Sequence, residues 1–467
     1  MTINSGDTAW VLASAALVLL MTPGLAFFYG GMVRSKSVLN MMMMSFGSLA
    51  SVGLVWVLWG YSEAFGNSWH GLVGNPFQHF GLSNLVSSTS IFGAKGDGIP
   101  ALAFVAFQAV FAIITVALIS GAIADRAKFT TWMVFTVVWA TLVYFPVANW
   151  VFAFDGYAAT KGGWIANQLK AIDFAGGTAV HINAGAAALA LALILGKRIG
   201  FAKDPMRPHN LTLVMLGAGL LWFGWFGFNA GSALSANNTA AVTWVNTMVA
   251  TAAACLSWLL TERLRDGHAT SLGAASGIVA GLVAITPSCS SVTPIGAIAV
   301  GLIAGALCAL EISMKYRFGF DDSLDVVGVH LVGGLAGTLS VGFFASASAP
   351  AAVDGLFYGG GVDQLWRQAV GAFAVLAYSF LVTYLIGTIL HKTMGFRVSG
   401  EDELEGVDLS EHAETSYDLG FIASSLRGSG YGSTGAGGTG STAVEGREGT
   451  AGRHERLAEP TNEGASV

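Results

Sequence analysis

Charge is what this chain of 467 residues lacks: Asp, Glu, Lys and Arg make up 11% of it, less than half of the roughly 25% found in soluble globular domains. Hydrophobic residues fill 54%, and the mean hydropathy is +0.63. These figures argue against a water-soluble enzyme and against a nucleic-acid binder with a basic face. Cysteine is scarce too. Cys255, Cys289 and Cys308 lie in or beside apolar stretches, form no even-numbered disulfide framework and have no metal-ligand spacing. The first seven residues lack a basic region, so the first apolar stretch reads as a retained span, not a cleaved signal peptide. No nucleophile–base pair, metal cluster or cofactor motif marks an enzyme, and no cofactor is expected.

What charge there is falls unevenly. Residues 1–396 carry a net +2, residues 397–420 a net −7, and residues 421–467 a net −1. An apolar, weakly basic body is thus followed by an acidic joint and a polar tail. Three regions follow: a membrane domain over 1–396, a cytoplasmic segment over 397–420 and a tail over 421–467. Residues 428–467 are rich in Gly, Ser, Thr and Glu and are expected to be disordered.

A helix needs about 20 apolar residues to cross a bilayer. Stretches with almost no Asp, Glu, Lys or Arg run over 8–33, 37–62, 98–124, 129–154, 174–196, 208–261, 267–310, 326–353 and 368–400. Two are too long for one helix, and small and polar residues break them at 229–238 and 286–294. The expected fold is an all-α polytopic membrane protein of eleven transmembrane helices. Fourteen Lys and Arg flank the ends of odd-numbered helices, against Lys95, Lys161, Lys170 and Arg367 after even-numbered ones. The positive-inside rule then puts the N-terminus outside and the C-terminus in the cytoplasm. Glycine, at 62 residues, is about twice as common as usual, which suits close helix approach and a narrow path.

Of nine histidines, only His181 and His330 sit inside apolar spans, in helices 5 and 10. Their settings, Asp173-Phe-Ala-Gly-Gly-Thr-Ala-Val-His181 and Asp325-Val-Val-Gly-Val-His330, are alike. Two groups of five helices must be inverted relative to each other. Helices 1–5 and 6–10 therefore read as an inverted repeat, with helix 11 added, a common transporter plan that brings matching residues together near the midplane. A lone intramembrane histidine can be a packing residue; two in matching positions point to function. Buried imidazoles favour the neutral form and offer a hydrogen-bonding line without fixed charge. Asp173 opens helix 5, where its carboxylate can cap free amide groups, attract a cation, or do both. Phe107 and Phe111 share a face of helix 3, and Trp225, Phe228 and Ser232 share a stripe of helix 6. Such aromatic faces suit a small cation and equally suit lipid-interface anchoring, which pattern alone favours.

The chain resembles the ammonium transporters of the Amt/Mep/Rh group, in the bacterial Amt branch. Three texts carry the resemblance: Asp173-Phe-Ala-Gly-Gly-Thr178 with His181, Trp225-Phe-Gly-Phe-Asn-Ala-Gly-Ser232, and Asp325-Val-Val-Gly-Val-His330. The resemblance implies a homotrimer in the plasma membrane with one ammonium path per protomer. It implies an outer ammonium site of Phe111, Ser232 and Trp225 with Phe107 in the nearby wall. Phe111 and Phe228 would form a stacked gate, His181 and His330 the twin histidines, Asp173 the acid supporting recruitment and deprotonation, and Tyr144 a mouth tyrosine. Departures are visible. Phe152 stands where the family commonly has a Trp closing the outer site, Asn149 where it commonly has His, and Glu63 where an apolar residue is usual. The stretch 153–172 is longer than usual. Residues 397–412 resemble the family's regulatory stretch, implying a PII-type signal protein as partner. The function implied is uptake by cation recruitment, deprotonation and passage of ammonia, the alternative being an ammonium sensor that signals to a PII-type partner.

Overall fold

The computed structural model describes residues 2–87, 91–92, 97–157, 159–204 and 206–417. Among these, ten helices are long and apolar enough to cross a membrane. They are α1 (Ser5–Met32), α2 (Val38–Phe65), α3 (Ala101–Ile123), α4 (Phe129–Phe152), α5 (Gly177–Leu195), α6 (Leu211–Gly231), α7 (Asn238–Asp266), α9 (Pro294–Phe318), α10 (Val327–Phe344) and α11 (Asp363–Thr393). Between α7 and α9 lies α8 (Ser271–Ile285), apolar but only 15 residues long, a rise of about 22 Å. By length alone the expected count of eleven becomes ten plus this short helix. Its limits are local: the Thr270 side chain caps its start by accepting from Gly273 N, and the turn through Thr286-Pro287 ends it. The break expected at 229–238 is a turn after α6, closed by Asn237, which caps α7.

Small residues set how closely the helices approach. The contact that matters most for the site is between α5 and α10. Gly185 and Gly334 each lie one helical turn beyond a histidine. A methyl at Gly185 would meet the backbone of Leu331, and one at Gly334 would press on His181 and Ile182. The two helices therefore cross at their histidines only because each has glycine there.

Short pieces finish the two faces of the bundle. On the N-terminal face, β1 (Thr2–Ile3) pairs in parallel with β5 (Asp97–Pro100), which pairs antiparallel with β4 (Ile91–Phe92). A small hairpin of β2 (Ser68–Trp69) and β3 (Val73–Gly74) lies between α2 and α3. The Asp7 carboxylate accepts from Ala236 N at 2.8 Å, tying α1 to the turn after α6.

On the C-terminal face, α12 (Gly400–Glu405) and α13 (Val407–His412) lie against the helix ends. The acidic residues here meet mainly backbone. Asp408 accepts from Leu39 N at 3.0 Å and Asn40 N at 2.8 Å, at the start of α2, and Glu411 accepts from Phe129 N at 2.8 Å, at the start of α4. Free amide groups and the positive end of the helix dipole attract carboxylates there without an ion pair. Glu403 does both, pairing with Arg397 at 2.6 Å and accepting from Ile199 N at 2.6 Å. Arg198, by contrast, is buried against Asp321 and Asp125 of the bundle itself. Residues 418–467, which include the tail expected to be disordered, lie outside the described residues.

Candidate functional site

The site begins with a buried carboxylate. Asp173 accepts four backbone N–H groups: Gly176 at 2.8 Å, Gly177 at 2.7 Å, Thr178 at 2.7 Å and Ala179 at 3.0 Å. Gln368 of α11 holds the approach to it, accepting from Ile172 N at 2.6 Å and donating to Ile172 O at 2.7 Å. With its first amide groups turned to Asp173, α5 starts as a wide π-helical turn, Gly177–Ile182, that carries His181. Such turns concentrate at functional sites.

Helix α10 repeats the device. It starts as a π-helical turn, Val327–Val332, that carries His330. The matching acid, however, is not Asp325, as the sequence comparison of the two segments suggested. Asp325 has a left-handed backbone, φ 61°, and its side chain pairs with Lys315 at 2.5 Å. The buried Asp322 takes the role, accepting from Val327 N at 2.7 Å. Equal spacing was the available signal, since Asp173 precedes His181 by eight residues and Asp322 precedes His330 by eight.

The two imidazoles meet. Nδ1 of His330 and Nδ1 of His181 are 3.2 Å apart, the rings 5.3 Å apart and tilted by 25°. Both are buried, so one ring donates and the other accepts, which fixes the two tautomers together. Trp225 stacks on His181 at 5.4 Å, its indole N–H donating to Thr286 Oγ1 at 2.9 Å. Around the rings lies a chamber of about 10 Å³, also walled by Leu25, Val279 and Phe228. That is room for about one water.

Phe228 stacks on Phe111 at 4.2 Å, and beyond this pair the space widens. A cavity of about 400 Å³ is lined by Phe111, Gln108, Phe152 and Ser232. An adjoining one of about 440 Å³ is lined by Phe152, Phe174, Asp173 and Ser232. The Ser232 hydroxyl donates to Phe228 O at 2.8 Å, leaving its lone pairs for a ligand. The arrangement is a wide vestibule, an aromatic constriction and a small, mostly apolar chamber ending on paired histidines.

Three residues stand elsewhere than expected. Trp225, expected beside Phe111 and Ser232, lies on the chamber side of the constriction because Phe228 comes between them; seven residues separate it from Ser232, about 10 Å along a helix. Tyr144, expected at the mouth, is wholly buried in a π-helical turn of α4 and lines neither the chamber nor the vestibule. Phe107 also lines none of them. It stands edge-on behind Phe111 at 4.9 Å and braces it. Sequence reasoning missed Gln108, Asp155 and Tyr157 in the vestibule wall. Gln108 could have been found, being polar within an apolar helix and one residue from Phe107.

A polytopic helical bundle with a small buried chamber behind a stacked aromatic pair has the architecture of a membrane transport protein. The chain matches the Ammonium Transporter Family over residues 9–417, and it belongs to that family. An ammonium transporter of Mycobacterium tuberculosis strain H37Rv is 61% identical over 440 residues, covering 91% of this chain and 92% of that protein. One from Bacillus subtilis strain 168 is 46% identical, covering 88% and 98%. Among solved structures, one described as a Sensor Amt Protein is similar with a TM-score of 0.79 at 31% identity, covering 87% of this chain and 98% of that one. Mep2 of Saccharomyces cerevisiae is similar with a TM-score of 0.76 at 33% identity, covering 86% and 89%. Ammonium transport by a multi-pass membrane protein follows.

Proposed function

We propose that the chain gathers ammonium in the vestibule, takes its proton near the Phe111–Phe228 gate, and passes ammonia along His181 and His330. The observation that carries this reading is the paired imidazoles at the end of a chamber sized for one water. An unpaired cation in such a place costs several kcal/mol or more, whereas neutral ammonia can donate to an imidazole. Potassium cannot shed its charge, so the same path rejects it. Ammonium is held first by aromatic faces, Phe111 and Phe152, and by the Ser232 oxygen. Asp173 contributes the negative charge that favours the cation in the vestibule, and its amide contacts keep that charge in place; the proton given up before the gate passes to vestibule water. Trp225 acts deeper, holding His181 by stacking, and Phe107 acts through Phe111.

The N-terminal face is the outer one, as the placement of basic residues implies, so the vestibule opens outward and the C-terminus lies in the cytoplasm. Helices α1–α5 and α6–α10 form an inverted repeat, which the matching acid–histidine segments support. The protein acts in the plasma membrane as a homotrimer with one path per protomer. A PII-type protein docks on the cytoplasmic face formed by residues 397–417. A second reading, an ammonium sensor, is favoured by the likeness to the Sensor Amt Protein. Purified protein in proteoliposomes separates the two: a transporter moves ammonium at a rate that saturates, whereas a dedicated sensor binds it without flux.

A further inference from the structure

We propose that Gln368 of α11 is a positioning residue for transport: its one side-chain amide sets how His181 meets His330. This role rests on the reading that ammonia passes along the histidine pair. It gives α11, which follows the two groups of five helices, a part in that passage.

α11 carries polar side chains on its buried face. Gln364, Gln368, Ser379 and Thr383 are all buried, while Leu381, Leu385 and Ile389 of the same helix are exposed. An unpaired polar group is costly inside a membrane-spanning bundle, so the partners of these side chains matter. The Gln368 oxygen accepts from Ile172 N at 2.6 Å and from Gln364 Nε2 at 2.9 Å. Its nitrogen donates to Ile172 O at 2.7 Å and to Thr338 O at 3.1 Å. Two lone pairs and two N–H groups are all that such an amide has, so every one is used. The backbone of Ile172 also fixes which way the amide points, since its N–H needs the oxygen and its C=O the nitrogen.

Where these partners fall in the chain shows what is held. Ile172 directly precedes Asp173, and Thr338 lies in α10, eight residues beyond His330. Gln368 therefore joins the approach to α5 with α10 through one planar group. Ser379 holds the far end, its hydroxyl donating to Asn183 O at 2.7 Å, two residues past His181. Ile172 and Asn183 are eleven residues apart, and so are Gln368 and Ser379. An α-helix rises about 16.5 Å over that count. The stretch from Ile172 to Asn183 has no such regularity of its own, because it contains the Asp173 cap and the π-helical turn Gly177–Ile182. The regular helix thus sets the span of the irregular segment that carries Asp173 and His181. Gln368 itself lines neither the chamber nor the vestibule, so it acts through that segment. Thr383, one turn beyond Ser379, accepts from Trp139 Nε1 at 2.7 Å and ties α11 to α4 instead.

Gln368→Met keeps the length of the side chain and removes all four bonds. Solid-state NMR of protein with ¹⁵N-labelled histidine, in lipid bilayers, reads the pair directly. In wild type the Nδ1 atoms of His181 and His330 should appear as one protonated and one bare nitrogen, coupled across their shared hydrogen bond. In Gln368→Met that coupling should be lost. Ammonium flux in proteoliposomes should fall roughly ten- to a hundredfold, the loss that a misplacement of about 1 Å brings to a positioned reaction. Ser379→Ala should weaken the same coupling to a smaller extent, and it decides the matter should Gln368→Met fail to fold. Thr383→Ala removes a buried bond from the same helix, so it separates positioning from stability: coupling and flux should stay at wild-type values even where the melting temperature drops. Coupling retained in both Gln368→Met and Ser379→Ala, or lost equally in Thr383→Ala, overturns the assignment. Coupling lost with flux unchanged supports the positioning role and counts against the histidine reading of transport alone.

Discussion

Replacing Asp173 by Asn changes little in shape and much in hydrogen bonding. The carboxylate accepts four amide groups, two on each oxygen. Asparagine keeps one acceptor oxygen, so two of the four N–H groups would face an NH₂ that cannot accept. A hydrogen bond to a charged group is worth about 1.5–3 kcal/mol, so the loss is about 3–6 kcal/mol. It falls on the first turn of α5, the turn that carries His181. At about 1.36 kcal/mol per tenfold change, amides 176–179 should exchange with solvent about a hundred to ten thousand times faster in Asp173→Asn. Hydrogen exchange resolved over this segment measures that directly, and ammonium flux in proteoliposomes measures the functional cost, which should be near-complete loss. Asp173→Glu should restore neither, because an added methylene moves the carboxylate off the centre of the four amides. Unchanged protection at 176–179 together with unchanged flux in Asp173→Asn would refute both the cap and the charge.

Phe152→Trp should lower the half-saturating ammonium concentration, by up to about fivefold for the ~1 kcal/mol of a better cation–π face; an unchanged value would mean that another side chain closes the vestibule. Burial holds the Asp408 carboxyl above the usual carboxylate range, against the pull of the Asn40 and Leu39 amides. A carboxyl that binds its proton more tightly when docked makes docking stronger as pH falls from its docked pKa towards the free value of 3.8. Protease protection of residues 397–417 should therefore rise on acidification in wild type and lose that dependence in Asp408→Asn, and release of the segment at low pH in wild type alone would contradict the sign. Deleting 428–467 should leave flux and PII binding nearly intact, while deleting 397–467 uncovers the starts of α2 and α4 and should abolish binding and impair flux; normal transport and binding after the longer deletion would remove the regulatory role.

The span pattern was legible because hydropathy, breaks and caps all act locally. Thr270, Asn237 and Thr293 start helices where small polar residues interrupt apolar runs. The histidine pair was legible because two polar side chains stand out in apolar spans. Depth was not. Trp225 and Ser232 share a stripe of α6, but which side of the constriction each faces depends on where Phe111 of α3 meets that stripe, a tertiary contact no periodicity encodes. Asp322 was missed for a similar reason: Asp325 is nearer in sequence to His330, and only the pairing of Asp325 with Lys315 shows that it is otherwise engaged. The targets of Asp408 and Glu411 are backbone amides, which every helix start offers, so composition could not single them out.

The central claim is that His181 and His330 let a neutral molecule through and keep ions out. Its most direct test is paired flux measurement on proteoliposomes containing wild type, His181→Ala, His330→Ala and the double variant, each given an ammonium gradient and then a potassium gradient. Wild type should show saturable ammonium flux without potassium flux, and every variant should lose selective ammonium flux with the fold retained. Ammonium flux and potassium rejection both unchanged in the variants would contradict it.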